Sequence, residues 1–152
     1  ARRISSTSRP LNSIMWPWAE ERSAEWMDEV LTRALPPKIT RAWPISPGLV
    51  DGKYWTVSKE EFEYLLTWDW TNQASFVADR TDCDNYAEVV RSMFGWRLGI
   101  NSVGLVLDVS GAHAYNLVVF SDGTWGWLEP QSDQWVQLGS GLYKLSEGSV
   151  MI

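Results

Sequence analysis

Apolar residues at helical spacing predict three helices in the first two thirds of the chain. The first is expected over residues 19 to 35, where acidic side chains come first and an arginine lies near the end, as the helix dipole favours. The second is expected over residues 58 to 66, because Ser58 and Glu61 match a capping box. The third is expected from about Asp82 to Gly95, with Thr81 or Asp82 as its cap and the glycine as its stop.

After Gly99 the spacing of apolar residues changes to the period of two that is typical of strands. The candidate strands are SVGLVLDV, HAYNLVVF, TWGWLEP, QWVQL, LYKL and SVMI. Between the first and second helices, the segment WPISPGLVDG is rich in proline and glycine and predicts an ordered surface loop. The predicted fold class is therefore α+β, with helices first and an antiparallel sheet second.

The length of 152 residues predicts one domain, which we place at residues 13 to 152, after a tail or linker at residues 1 to 12. The net charge of -6 argues against nucleic acid and anionic membranes as partners. The sequence has neither an apolar run long enough for a membrane helix nor the pattern of a signal peptide, which predicts a soluble protein. A homodimer and a fusion to an upstream domain both remain open.

Cys83 is the only cysteine, and it lies in the first turn of the third predicted helix. It shares helical spacing with Ala87 and Val90, so it can be a small buried hydrophobic residue. Backbone amides at a helix N-terminus also stabilise a thiolate, which would make Cys83 a candidate nucleophile. The flanking Asp82 and Asp84 oppose a thiolate unless a histidinium or a metal ion offsets their charge.

His113 is the only histidine and lies at the start of a predicted strand. A single cysteine followed by a single histidine is an arrangement that thiol hydrolases use. Asn116, Glu129 and Gln131 are candidates for the group that orients the imidazole, but strand alternation turns Asn116 to the opposite face. If residues 121 to 123 form a three-residue hairpin loop, Glu129 becomes a diagonal neighbour of His113 and Gln131 lies opposite it. A two-residue turn would place Glu129 on the wrong face.

The order Cys83-Asp84-Asn85, His113, Glu129-Pro130-Gln131 resembles papain-like cysteine proteases, in particular the C-terminal domain of Marasmius oreades agglutinin, over roughly residues 40 to 152. The resemblance implies a papain-like fold in which N-terminal helices, one of them carrying the cysteine, pack on a C-terminal antiparallel sheet. It implies hydrolysis of a peptide or protein substrate by a catalytic triad. Cys83 would be the nucleophile, His113 the general base and acid, and Glu129 the orienting acid, with Gln131 in support.

The same resemblance implies activation by calcium, which would offset the acidic flanks of the cysteine. Asp79, Asp82 and Asp84 are the candidate oxygen ligands, although they lack EF-hand spacing and can equally be capping or solvated acids. Papain-like enzymes also use a side-chain amide upstream of the cysteine to stabilise the oxyanion. Gln73 is the candidate for that role, and a solvated loop position is its alternative explanation.

Two other functions fit the sequence. One is a cell-wall amidase of the CHAP type, which would use the same order of cysteine, histidine and a polar third group. The other is a non-enzymatic binding or dimerisation module, since the chain contains 11 tryptophans and repeats the pattern W-x-W. Trp125 and Trp127 share the predicted face of His113, so they can line a substrate cleft or fill the core. If both rings were buried away from any cleft, sugar stacking would lose its main support.

Overall fold

The structure is a computed structural model that describes residues 15–41, 49–69 and 71–152. The tail or linker predicted at residues 1 to 12 lies outside the described residues. The helices are α1 (Ala24–Ala34), α2 (Lys59–Leu66) and α3 (Cys83–Ser92), and a π-helical turn, Met93–Arg97, continues α3. A short 3-10 turn covers Thr71–Gln73.

Most of the strands join one six-stranded sheet. The strands are β1 (Glu20–Ser23), β2 (Thr40–Arg41), β3 (Lys53–Thr56), β4 (Val103–Asp108), β5 (His113–Val119), β6 (Trp125–Glu129), β7 (Gln134–Val136) and β8 (Gly148–Met151). The large sheet has the order β2-β8-β4-β5-β6-β7, in which β2 pairs with β8 in parallel and the other pairs are antiparallel. β1 and β3 form a separate antiparallel pair.

The central strands of this sheet carry apolar side chains on both faces. Helices therefore cover both faces. Tyr115 and Leu117 of β5 belong to a core cluster with Met27, Val30 and Leu31 of α1. Val118, on the opposite face of β5, packs with Phe62 of α2 and Val90 of α3. Asn116 on that second face is fully buried, and its Nδ2 donates to the carbonyl oxygens of Ala87 and Gly104. The bond to Ala87 ties α3 to the sheet, and the bond to Gly104 links β5 with β4.

The helix boundaries confirm the predicted capping box of α2. The Ser58 hydroxyl accepts from the Glu61 amide at 3.1 Å, and the Glu61 carboxylate accepts from the Ser58 amide at 3.2 Å. α3 begins after Asp82 as expected, but the chain continues helically past Gly95, as the π-helical turn. α1 is shorter than predicted, because residues 20–23 pair with β3 and Ser23 caps the helix.

The predicted fold class, a papain-like arrangement of N-terminal helices packed on a C-terminal antiparallel sheet, is wrong. The sheet dominates the molecule, and the N-terminal part contributes strands β1, β2 and β3 to it and to its small companion. The hydrophobic pattern did not predict these strands, because they are two to four residues long and flank a proline-rich segment. Conversely, the predicted strand LYKL forms only an isolated bridge between Ser140 and Tyr143.

Among the helices of the described ranges, none has the length and apolar character that crossing a bilayer requires.

Candidate functional site

His113 and Glu129 form a close pair where β5 begins and β6 ends. His113 Nε2 lies 2.7 Å from Glu129 Oε2, and both side chains are about 10% exposed. The loop between the strands produces this pairing: the Phe120 amide bonds the Thr124 carbonyl at 2.9 Å, and Gly123 has φ +81°. The loop therefore has the three residues, 121 to 123, that the sequence analysis required. Asn116 pairs with Leu128, which makes Glu129 a diagonal neighbour of His113.

Three donors surround the Glu129 carboxylate. Besides His113, the Tyr143 hydroxyl donates to Oε2 at 2.7 Å and the Gln131 amide donates to Oε1 at 3.1 Å. Burial on its own raises the pKa of Glu129, but the hydrogen bonds from His113, Tyr143 and Gln131 outweigh it and lower that pKa. Burial, together with the bond to Glu129, raises the pKa of Tyr143 to about 12. Glu129 is therefore a carboxylate that its donors keep ionised.

Cys83 lies on the other face of the sheet from the Tyr115 cluster. It is the first residue of α3, is half-buried, and packs against a small cluster formed by Ala87, Leu105 and Ala114. Ala114 follows His113 in β5, so the cysteine lies beside the strand that carries the histidine. Within the ranges that the structure describes, Cys83 makes no hydrogen bond with His113.

Gln73, the predicted oxyanion group, and Gln131, the predicted supporting residue, have different surroundings. Gln73 is exposed at the end of the 3-10 turn. Gln131 contributes its backbone amide to Glu129, as described above, and its side chain is half-buried. The roles proposed for Cys83, His113, Glu129, Gln73 and Gln131 all stay predictions.

The three candidate calcium ligands lie at the start of α3. Asp79 is exposed, and its amide donates to Asp82 Oδ2 at 2.9 Å. A side-chain hydrogen bond between Asp82 and Asp84 lowers the pKa of Asp82 and raises that of Asp84. Among the described residues, no three His, Cys, Asp or Glu side chains are grouped so that they could hold a metal ion. The aspartates do not fit a calcium site, and the calcium requirement stays a prediction.

Trp125 and Trp127 line an open groove along the β6–β7 edge of the sheet, which we call the tryptophan groove. Its volume is about 320 Å³, and its lining residues are Lys59, Trp125, Gly126, Trp127, Trp135, Val136, Gln137 and Leu138. Trp127 is nearly buried, whereas Trp125 and Trp135 are half-buried. His113, Glu129 and Cys83 do not line this groove. The two predicted cleft residues therefore form a surface of their own.

Sequence reasoning missed two residues that shape these sites. Tyr143 contacts Glu129 from a segment that was expected to be a strand, and no local pattern marks it as a partner. Trp135 lies over Gly126, where a built Cβ would come within 2.7 Å of its ring carbons. A glycine between two tryptophans in a predicted strand was the signal for that close approach.

The chain resembles solved structures of Polyporus squamosus lectin in fold. A search of family models and a search of curated proteins find no match. The PSL1a–E64 complex, a structure of Polyporus squamosus lectin, matches with a TM-score of 0.61 and 19% identity, over 87% of this chain and 50% of that one. Polyporus squamosus lectin bound to the human-type influenza-binding epitope Neu5Acα2-6Galβ1-4GlcNAc matches with a TM-score of 0.54 and 19% identity, over 76% of this chain and 45% of that one.

These findings correct the predicted family and function. The resemblance to papain-like cysteine proteases is wrong, because the solved structures that share this fold are of a lectin and no family model supports a protease. The prediction of a calcium-activated papain-like protease with a catalytic triad is corrected with it. It depended on the order of a few residues along the chain, and such an order does not define a fold. The chain spans about half the length of the matched structures.

Proposed function

We propose that this chain is a carbohydrate-binding module and that the tryptophan groove takes the saccharide. One observation carries the proposal: Trp125, Trp127 and Trp135, which also pack against the core, line a single open groove. The groove volume of about 320 Å³ lies in the range of small-ligand sites.

The chemistry of the groove suits a sugar ring. An indole face is electron-rich, and it attracts the polarised C–H bonds on the apolar face of a pyranose. Lys59 and Gln137 line the same groove and offer polar groups for hydroxyls at its rim. The groove thus combines indole rings with polar side chains, as a ring with one apolar face and many hydroxyls requires.

The indole rings are held in place before any ligand arrives. Trp135 Nε1 donates to Glu63 Oε1 at 2.8 Å, and Lys59 Nζ lies 5.4 Å from the Trp135 ring centroid. The Arg33 guanidinium lies 5.8 Å from the centroid of Trp125. Rings that are fixed in this way lose little freedom when they bind, which favours affinity.

The lectin structures support a binding module over a catalytic one, since one of them holds a sialylated trisaccharide. Because this chain corresponds to about half of each lectin chain, sugar binding by this half is our proposal.

The test is a glycan microarray probed with the purified chain, followed by calorimetry with the best saccharide. Trp125→Ala should reduce the affinity at least tenfold, because it removes a stacking surface. Trp96→Ala is the matched control, since Trp96 is 60% exposed and does not line the tryptophan groove. An array without bound glycans, or equal affinities for the parent and Trp125→Ala, would contradict the proposal.

Chemistry at Cys83 is a second candidate, and the contact between His113 Nε2 and Glu129 Oε2 is the observation that favours it. A carboxylate on Nε2 holds the imidazole tautomer that leaves Nδ1 free to accept a proton. His113 is next to Ala114, whose cluster Cys83 packs against, and in this candidate a rotation of the His113 ring toward that cluster lets it take the proton of the Cys83 thiol. The reactivity of the thiol tests this candidate, and that experiment is described in the Discussion.

A further inference from the structure

A second groove, which we call the arginine groove, lies between the end of α3 and strands β3 and β4. Its volume is about 390 Å³, and its lining residues are Asp51, Trp55, Arg91, Ser92, Gly95, Gly99, Asn101 and Val103. It shares no lining residue with the tryptophan groove. Two opposite charges and an indole ring therefore meet in one concave surface.

The acidic side of the arginine groove is fixed by Asn101. Asn101 Nδ2 donates to Asp51 Oδ2 at 2.8 Å and to the Lys53 carbonyl at 3.0 Å, while its Oδ1 accepts from the Trp55 amide at 2.7 Å. Every polar atom of this amide has a partner on β3 or on the residues before it. The Asp51 carboxylate is thus held in place and keeps lone pairs for a ligand.

The basic side of the arginine groove is Arg91, in the last turn of α3. Its side chain is half-buried, yet it makes no hydrogen bond or ion pair with any residue that the structure describes. Arg91 and Asp51 line the same groove without coming within the 4.0 Å of an ion pair. A guanidinium in this position offers a fork of donors that matches a carboxylate.

The charges of Asp51 and Arg91 both act on Tyr54 of β3. Burial is the largest cause of its raised pKa, and the charge of Asp51 raises that pKa further while the charge of Arg91 lowers it. The Tyr54 hydroxyl donates to the Ile152 carbonyl at 2.9 Å. The geometric observation that places Asp51 and Arg91 on one surface is the shared lining of the arginine groove.

We infer that the arginine groove binds a zwitterionic amino acid. Asp51 receives its ammonium group, Arg91 receives its carboxylate, and its side chain lies on the exposed part of Trp55, which is 41% exposed. The volume of the groove is sufficient for a ligand of this size. A zwitterion carries no net charge, so the net charge of -6 does not repel it. This inference does not depend on the proposed carbohydrate binding.

The first arm of the test changes the ligand and leaves the protein intact. Phenylalanine, phenylalaninamide and N-acetylphenylalanine are titrated into the full chain by calorimetry at pH 6.5. Phenylalaninamide lacks the carboxylate and N-acetylphenylalanine lacks the ammonium group, so each should bind at least tenfold more weakly than phenylalanine. If phenylalanine does not bind, or if all three compounds bind equally, the inference is wrong.

The second arm changes the protein. Arg91→Gln and Asp51→Asn should each weaken phenylalanine binding at least tenfold, and Arg91→Gln should make phenylalanine and phenylalaninamide nearly equivalent. Arg80→Gln is the matched control, because Arg80 is exposed and does not line the arginine groove. Circular dichroism checks that each variant is folded. Phenylalanine binding that Arg91→Gln leaves unchanged would place the ligand elsewhere and overturn the inference.

Discussion

Gly126 lies directly beneath the ring of Trp135, so that a Cβ built on Gly126 would come 2.7 Å from Cε3 and Cζ3 of that ring. Atoms of a side chain and a ring do not approach so closely without displacement. The absence of a side chain on β6 therefore determines where the Trp135 ring lies in the tryptophan groove.

We predict that Gly126→Ala displaces Trp135 and lowers the free energy of unfolding by about 2 kcal/mol, as overpacking does elsewhere. It should also weaken saccharide binding at least tenfold, because the groove changes shape. Urea unfolding and calorimetry measure the two effects.

Gly52→Ala is the control for this change. No atom lies within 4 Å of a Cβ built there, so stability should change by less than about 0.5 kcal/mol. Equal stability and equal binding of Gly126→Ala and the parent would show that the contact with Trp135 does not shape the groove.

Glu129→Gln should destabilise the protein at neutral pH and much less in acid. The variant loses charge-assisted bonds from His113 and Tyr143, at a cost of about 2 kcal/mol at pH 7. Because the pKa of Glu129 is lowered in the folded state, its contribution is complete above the ordinary value of 4.5 and is lost as the pH falls through the folded value. Urea midpoints measured between pH 7 and pH 3 should converge for the two proteins.

Tyr143→Phe is the milder comparison, since it removes one of the donors and leaves the carboxylate charged. Its cost should be about 1 kcal/mol at pH 7. A constant difference between Glu129→Gln and the parent at every pH would refute the role of the ionised carboxylate.

Asp133→Asn should stabilise the protein at pH 7.5 and have little effect at pH 4. Burial, with the charge of Asp69 as a second cause, raises the pKa of Asp133 to about 6. The folded protein then holds this proton more tightly than the unfolded chain, so stability falls as the pH rises from 3.8 toward 6. Removing the charge should recover up to about 1 kcal/mol after allowance for solvent screening.

Asp122→Asn is a control for which the opposite effect on stability is expected. Hydrogen bonds from the Thr124 hydroxyl and amide lower the pKa of Asp122, so its loss should reduce stability at neutral pH. Thermal unfolding of both variants at pH 4 and pH 7.5 distinguishes the stabilisation expected for Asp133→Asn from the destabilisation expected for Asp122→Asn. A destabilised Asp133→Asn at pH 7.5 would show that its contacts outweigh its charge.

Cys83 should react faster with iodoacetamide in the parent than in His113→Ala. If His113 accepts the thiol proton, the alkylation rate at pH 7 should fall at least tenfold in the variant. The same rates measured with calcium and with a chelator test the predicted metal requirement, since only a bound cation would make them differ. Equal, slow rates under all conditions would identify Cys83 as a packing residue and would rule out chemistry at Cys83 as the function.

The sequence predicted the pairing of His113 with Glu129 because the information is local. Alternation along β5, a loop of three residues and Gly123 in a left-handed conformation together determine which side chains meet. Tyr143 could not be predicted in the same way, because it reaches Glu129 from an irregular segment after β7. No periodic pattern reports such a contact.

The fold was harder to predict than the local geometry. Strand β2 joins the large sheet by pairing with β8, more than a hundred residues later in the chain, and its two residues leave no trace in the hydrophobic pattern. The arginine groove was invisible for a similar reason. Asp51 and Arg91 are forty residues apart, and only the fold, in which α3 packs on β4 and β5, brings them into one surface.

The side chain of Asn101 has two structural roles. Its amide bonds β3 to the segment before β4 and also orients the carboxylate of Asp51. A substitution at this position would therefore disturb the attachment of β3 and the position of the Asp51 carboxylate together. Substitutions at Arg91 or Trp55 would alter the lining of the groove and leave these three bonds in place, whereas any substitution at Asn101 would alter both.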